Sequence, residues 1–121
     1  SYTDQATLLM AKYLFDAGSY SLALDVIKPL ISNQSNIISS TAVLRVASIY
    51  LQLGQHNEAL STLNIKSGEG FSGLIYNLTG DVYLDLGNSD EAKKYYLLAI
   101  ENITENSNLT QLIQIKLDDL N

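Results

Sequence analysis

The chain has 121 residues, of which 46% are hydrophobic, and its 13 acidic and 7 basic residues give a formal charge of −6. This length suffices for one domain, and the hydrophobic content excludes a disordered tail. Binding to a phosphate backbone needs clustered Lys and Arg, but Lys93 and Lys94 are the only adjacent basic pair, so we expect no nucleic-acid partner. Cysteine is absent, which excludes disulfides and thiol chemistry.

Three segments repeat one pattern in chain order. YLFDAGSYSLA, YLQLGQHNEA and YLDLGNSDEA align Gly18, Gly54 and Gly87 at spacings of 36 and 33 residues. Small residues recur on both sides of each glycine: Ala11, Ala47 and Gly80 before it, and Ala23, Ala59 and Ala92 after it. Small residues on two facing helices let the helix axes approach closely. The repetition therefore predicts three antiparallel helix hairpins.

Each copy has an apolar periodicity that predicts two helices. The first helices are expected at residues 3–17, 40–53 and 72–86, and the second at residues 19–28, 56–63 and 89–103. Glycine ends each first helix, because it adopts the left-handed backbone conformation without penalty. Asn88 followed by Glu91 resembles a capping box, which favours a new helix start there.

The connectors between the copies differ. Pro29 should end or kink the first copy's second helix, and the glycine-containing loop 64–70 shortens that of the second copy. Residues 108–120 predict a last helix with one apolar face, as needed to cap a stack. We therefore predict an all-α fold, a right-handed stack of antiparallel helix hairpins in a single domain of residues 1–121. The repeats are expected at residues 3–32, 39–66 and 72–104, followed by the C-terminal capping helix.

The repeated pattern resembles a tetratricopeptide repeat over about residues 3–104, with Tyr96 and Ala99 completing it in EAKKYYLLAI. The likeness is strongest in the third copy and weakest in the first, where Pro29 replaces the usual helical ending.

A narrower resemblance is to the YfgM-like family. GEGFSGLIYNLTGDVYLDLGNSDEAKKYYLLAI and the closing LTQLIQIKLDDLN are similar to that family's C-terminal half, and RVASIYLQLGQHNEALSTL is similar to its preceding repeat. The resemblance implies a periplasmic tetratricopeptide-like domain at the bacterial inner membrane, with a single-pass N-terminal anchor expected outside this chain. It also implies an ancillary role beside the SecYEG translocon, with a PpiD-like chaperone as partner and unfolded secreted proteins as clients.

The functional prediction is a partner-binding groove on the first helices. In a right-handed stack these helices line the concave side, where Phe15, Leu51 and Leu84 occupy equivalent places. Together with those three, the predicted groove residues are Leu8, Lys12, Asp16, Leu44, Ser48, Gln52, Leu74, Asn77, Asp81 and Asp85. An apolar strip with polar neighbours suits an extended or helical peptide, and the acidic end should favour basic or neutral ligands. Alternatively, missing N-terminal helices or a dimer mate cover this strip.

Catalytic signals are few, and we predict no enzyme, cofactor or metal. His56, the only histidine, is expected in a turn, and no nucleophile elbow, phosphate loop or zinc spacing occurs. One alternative is an enzyme that uses Asp81 and Asp85, four residues apart on one helix. Another is a soluble tetratricopeptide adaptor that grips an acidic tail, which would need more groove cations than Lys12 with Arg45 nearby.

Overall fold

Helix hairpins make up most of the structure, a computed structural model that describes residues 2–103 and 107–120. Within those ranges it has seven α-helices and no strand, which confirms the predicted all-α class. The helices are α1 (Asp4–Asp16), α2 (Tyr20–Ile27), α3 (Asn36–Gln52), α4 (His56–Leu63), α5 (Ser72–Asp85), α6 (Ser89–Glu101) and α7 (Asn108–Asp119). None of these helices is long and apolar enough to cross a membrane.

The chain divides into two compact units, which are described separately. Unit one is Ser1–Gly68 and contains α1 to α4; unit two is Glu69–Asn121 and contains α5 to α7. In unit one, α1 packs against α2 and α3 packs against α4. In unit two, α5 packs against α6 and α6 packs against α7. The predicted pairing of helices within each hairpin is therefore confirmed.

The glycine turns form as predicted. Gly87 follows α5 with a φ of +79°. Its N–H donates to the Leu84 carbonyl at 3.0 Å, and the next N–H, of Asn88, donates to the Tyr83 carbonyl at 2.9 Å. These two bonds satisfy carbonyls that the helix end leaves without an intrahelical partner. Gly18 and Gly54 have φ values of +79° and +73° and the same pair of bonds.

The connector between α2 and α3 departs from the prediction at one end. Pro29 lies at the start of a 3₁₀ helix (Lys28–Ser32) that directly follows α2, so the expected break is confirmed. However, α3 begins at Asn36, earlier than the predicted residue 40. The cause is the Ser35 hydroxyl, which accepts from the Ile38 N–H at 3.3 Å and caps the helix.

Alanines lie at the centre of both hairpins of unit one. Ala11 is 2% exposed, and Ala23, Ala47 and Ala59 are fully buried, as the small-residue pattern predicts. Larger apolar side chains complete this core: Ile27, Val43, Val46, Ile49 and Leu63. The apolar faces of these short helices are stable because they are buried against one another.

Unit two has a different core arrangement. Ala92, Tyr96, Ala99, Ile113 and Leu117 form one buried cluster, in which the last two belong to α7. The capping helix is therefore confirmed. Gly80 is small for a reason that the prediction missed. A Cβ added there would lie 2.5 Å from Cε1 of Tyr96, so it is the Tyr96 ring, more than Ala92, that requires a glycine.

Candidate functional site

A cleft of about 260 Å³ lies between α1 and α3 in unit one. Its lining residues are Ala11, Lys12, Phe15 and Asp16 from α1 and Arg45, Ser48 and Ile49 from α3. Four of these, Lys12, Phe15, Asp16 and Ser48, are predicted groove residues. The repeat pattern brings them together because α1 and α3 are the first helices of consecutive hairpins.

Phe15 supplies much of the apolar wall. Its ring packs edge-on against Tyr20, the first residue of α2, with the centroids 5.3 Å apart and the planes at 65°. Such an edge-to-face contact holds the ring in one orientation. The wall is therefore shaped before any ligand arrives.

Three polar side chains of the cleft are already bonded. Lys12 Nζ donates to Asp16 Oδ2 at 2.8 Å, one helical turn away, and both side chains are 59% exposed. An exposed pair of this kind contributes little to stability, since water and salt screen it. The Ser48 hydroxyl donates to the Leu44 carbonyl of its own helix at 2.9 Å.

Arg45 is the residue that sequence reasoning underrated. Its half-buried side chain reaches from α3 to α1, where Nη1 donates to the Leu8 carbonyl at 2.8 Å. Among the residues that the structure describes, no carboxylate pairs with it. The available signal was that Arg45 is the only charged residue of its helix, NIISSTAVLRVASIYLQ.

The other predicted residues of unit one lie outside the cleft lining. Leu8, Leu44 and Leu51 are half-buried, whereas Gln52 is exposed near the end of α3. Leu51 occupies the place equivalent to Phe15 in the repeat, but only Phe15 lines the cleft.

The predicted residues of unit two lie on α5. Leu74 and Leu84 are 38% and 41% exposed, and Asp85 is also exposed. Asn77 and Asp81 are only half-buried rather than open, because Lys116 of α7 lies against both.

A polar network joins the three helices of unit two through Asp81. Its Oδ1 accepts from the Tyr96 hydroxyl at 2.6 Å and from Lys116 Nζ at 3.0 Å, and Oδ2 lies 3.3 Å from the same ammonium. Lys116 also donates to Asn77 Oδ1 at 3.0 Å. Burial raises the pKa of the Tyr96 phenol, and the hydrogen bond to Asp81 and the charge of Asp81 raise it further.

This network corrects one expectation. Asp81 does not point outward as a free acidic group, since its carboxylate binds Tyr96 and Lys116 within the unit. Of the two carboxylates that the alternative of an enzyme would use, Asp81 is bonded within the unit and Asp85 is exposed. Within the described ranges, no three His, Cys, Asp or Glu residues are grouped so that they could hold a metal ion. His56 is half-buried and is the first residue of α4.

The chain belongs to the tetratricopeptide repeat-like domain family, whose model matches residues 1–121. Among curated proteins it is similar to the ancillary SecYEG translocon subunits of several bacteria. It is 36% identical over 96% of its length to the protein from Neisseria gonorrhoeae and 35% identical over 99% to that from Aggregatibacter actinomycetemcomitans. It is 24% identical over 99% to that from Escherichia coli. The predicted resemblance to the YfgM-like family is thus confirmed.

The chain spans little more than half of each of these relatives: 56%, 58% and 58% of their lengths, in the same order.

Solved structures show the same fold at low identity. The Yersinia enterocolitica type III secretion chaperone SycD, in complex with a peptide of the translocator YopD, superposes with a TM-score of 0.76. It is 18% identical, and the match covers 96% of this chain and 90% of SycD. The first tetratricopeptide domain of Spaghetti (RPAP3), bound to the HSP90 peptide SRMEEVD, has a TM-score of 0.74 and 19% identity, with coverage of 97% and 89%.

Proposed function

We propose that this domain is a protein-binding module of the Sec translocation system. The observation that carries the proposal is the similarity, along almost the whole chain, to proteins named ancillary SecYEG translocon subunit. The α1–α3 cleft supports it from the geometry, since an apolar floor rimmed by polar side chains suits a side chain from a protein partner.

The location, partners and clients that we propose are those implied by the resemblance to the YfgM-like family. The domain works at the periplasmic face of the bacterial inner membrane, beside the translocon and a PpiD-like chaperone. Its clients are secreted proteins that have not yet folded, which it passes to periplasmic chaperones. It acts by binding rather than by catalysis. Affinity for each segment is modest, because an open surface gains little after a flexible ligand has been ordered.

The exposed positions of the first helices carry the binding. In unit one these are the cleft and its neighbours on α1 and α3, and in unit two they are Leu74, Leu84 and Asp85 on α5. Asn77 and Asp81 instead accept hydrogen bonds from Lys116, which connects α5 to α7.

Site-specific photo-crosslinking in the intact protein in living cells tests the proposal. A photoreactive phenylalanine at position 15, 51 or 84 should capture translocon subunits, a membrane-anchored chaperone or nascent secreted chains. Matched controls are Leu22 on α2 and Leu97 on α6, which are exposed apolar residues of second helices. Crosslinks to those proteins only from Leu22 and Leu97 would refute the proposed surface. Crosslinks only to the protein's own chain would show that the strip is covered.

A further inference from the structure

Arg45 differs from Lys12 and Lys116 in the group that it binds. Lys12 pairs with Asp16, and Lys116 pairs with Asp81. Arg45 donates to a backbone carbonyl, that of Leu8, and no carboxylate of the described residues neutralises it. A guanidinium carries five N–H groups in a fixed fork, so donors remain for a further acceptor. This leaves a positive, directional group at the edge of the cleft.

The rest of the cleft defines a second requirement. Its apolar lining residues are Ala11, Phe15 and Ile49. Its volume of about 260 Å³ suits one apolar side chain rather than a drug-sized molecule, for which roughly 300–1,000 Å³ is usual. Because Arg45 lines the same cleft, one ligand can contact both the apolar lining residues and the guanidinium. An apolar side chain and an anion close to each other in one ligand meet both requirements.

We infer that the cleft recognises an internal segment of a partner protein in which a large apolar residue stands beside an Asp or Glu. The inference rests on the proposed function and adds the chemistry of the ligand. The apolar side chain is buried against Phe15 and Ile49, and the neighbouring carboxylate accepts from Arg45. The charge of the cleft favours a carboxylate. Lys12 and Asp16 neutralise each other, so Arg45 gives the lining residues a net positive charge.

The backbone around the cleft favours an acidic side chain over a chain-end carboxylate. Capture of a chain end generally uses several free backbone N–H groups. The lining residues lie inside α1 and α3, where N–H groups donate to carbonyls of their own helix. A chain end would therefore find one guanidinium and no backbone donors. A carboxylate on a flexible side chain needs only the guanidinium.

Peptide titrations followed by ¹H–¹⁵N NMR test the inference, since NMR detects weak binding. The probe is a short peptide with both ends capped and a central Leu-Glu pair, compared with the same peptide carrying Leu-Gln. We expect about fivefold tighter binding for Leu-Glu, the gain typical of a partly exposed ion pair. The largest shift changes should occur at the Arg45 Nε–H and the Ser48 amide. Arg45→Gln should abolish the preference for Glu, and Lys66→Gln, which removes an exposed cation outside the cleft, should retain it.

The outcomes separate this inference from the proposed function. Equal binding of both peptides to the wild-type protein would overturn the inference and leave the binding surface intact. No binding of either peptide would overturn the inference, whereas the proposed function is tested separately by the crosslinks from the intact protein. Tighter binding of a peptide that ends at the leucine with a free carboxylate would overturn the choice of an internal segment. Arg45→Lys serves as the second variant: it keeps the charge but lacks the fork, so it should fold as the wild type does and show a smaller preference for Glu.

Discussion

The two units use the same hairpin but treat their charged side chains in opposite ways. By sequence, residues 1–68 contain four acidic and four basic residues, whereas residues 69–121 contain nine and three. The acidic unit brings Lys116 inward and binds it to Asp81, while the neutral unit leaves Arg45 facing a cleft. Asp81 occupies the repeat position of Ser48, so the same position can line a cleft in one unit and bind side chains of neighbouring helices in the other.

The units also differ in how they fill the space between paired helices. In each hairpin, the aligned small residue of the first helix can be compared with the residue sixteen positions later on the second helix. These pairs are Ala11 and Ile27, Ala47 and Leu63, and Gly80 and Tyr96. A larger residue on the second helix thus accompanies the smallest residue on the first, which keeps the packed volume similar.

The largest expected effect on stability comes from replacing Gly80, the small residue on the first helix of unit two. Gly80→Ala should lower the free energy of unfolding by about 2 to 3 kcal/mol, because the new Cβ meets a buried ring that has little room to move. Urea denaturation provides the measurement. In a Tyr96→Leu background, which copies the pairing of unit one, the same change should cost far less. An equal cost in both backgrounds would show that the ring is not the obstacle.

Removal of the acidic centre of the network should have the next largest effect. Asp81→Ala leaves the Tyr96 hydroxyl and the Lys116 ammonium without their shared acceptor, so we expect a loss of about 1.5 kcal/mol. The control is Asp25→Ala on the exposed face of α2, which should change stability by less than about 0.5 kcal/mol. Thermal unfolding of both variants gives the comparison. Similar losses would contradict a structural role for Asp81.

The smallest effect at neutral pH, and the most diagnostic one, concerns the phenol of Tyr96. Its raised pKa means that the folded state retains the proton at a pH where an unfolded tyrosine, with a pKa near 10, has lost it. The unfolded state then binds fewer protons, so stability falls as the pH rises above about 10. Between about pH 9 and about pH 11 the wild-type protein should lose about 1.4 kcal/mol in total more than Tyr96→Phe, and the slope steepens as the pH passes about 10. Urea denaturation at pH values from about 9 to about 11 measures both slopes, and equal slopes would count against the assignment.

Much of the fold could be predicted because its signals are local. The glycine turns, the break at Pro29 and the bounds of α4 each depend on residues within a few positions of one another. The early start of α3 was missed although its signal is also local. Asn33 and Ser35 can each cap or turn the chain, and only the hydrogen bond from the Ile38 N–H to the Ser35 hydroxyl shows which residue caps the helix.

The candidate site was less predictable because it depends on distant residues. The repeat alignment placed Phe15 and Ser48 on the relevant faces of their helices. It could not show that Lys116 lies over Asp81, 35 residues earlier, or that Arg45 reaches Leu8, 37 residues earlier. Neither contact is marked by a repeating pattern in the sequence, because each depends on the relative shift of two packed helices along their axes.

The bonds around each glycine turn have a consequence for how such a chain can change in length. The aligned small residues before and after each turn are always 12 positions apart, whereas the next hairpin follows after 24 positions in one case and 21 in the other. The paired carbonyl bonds allow no extra residue within the turn without losing its register. We therefore expect a residue inserted into a glycine turn to disrupt its hairpin, whereas a residue inserted into a connector should leave both neighbouring hairpins intact.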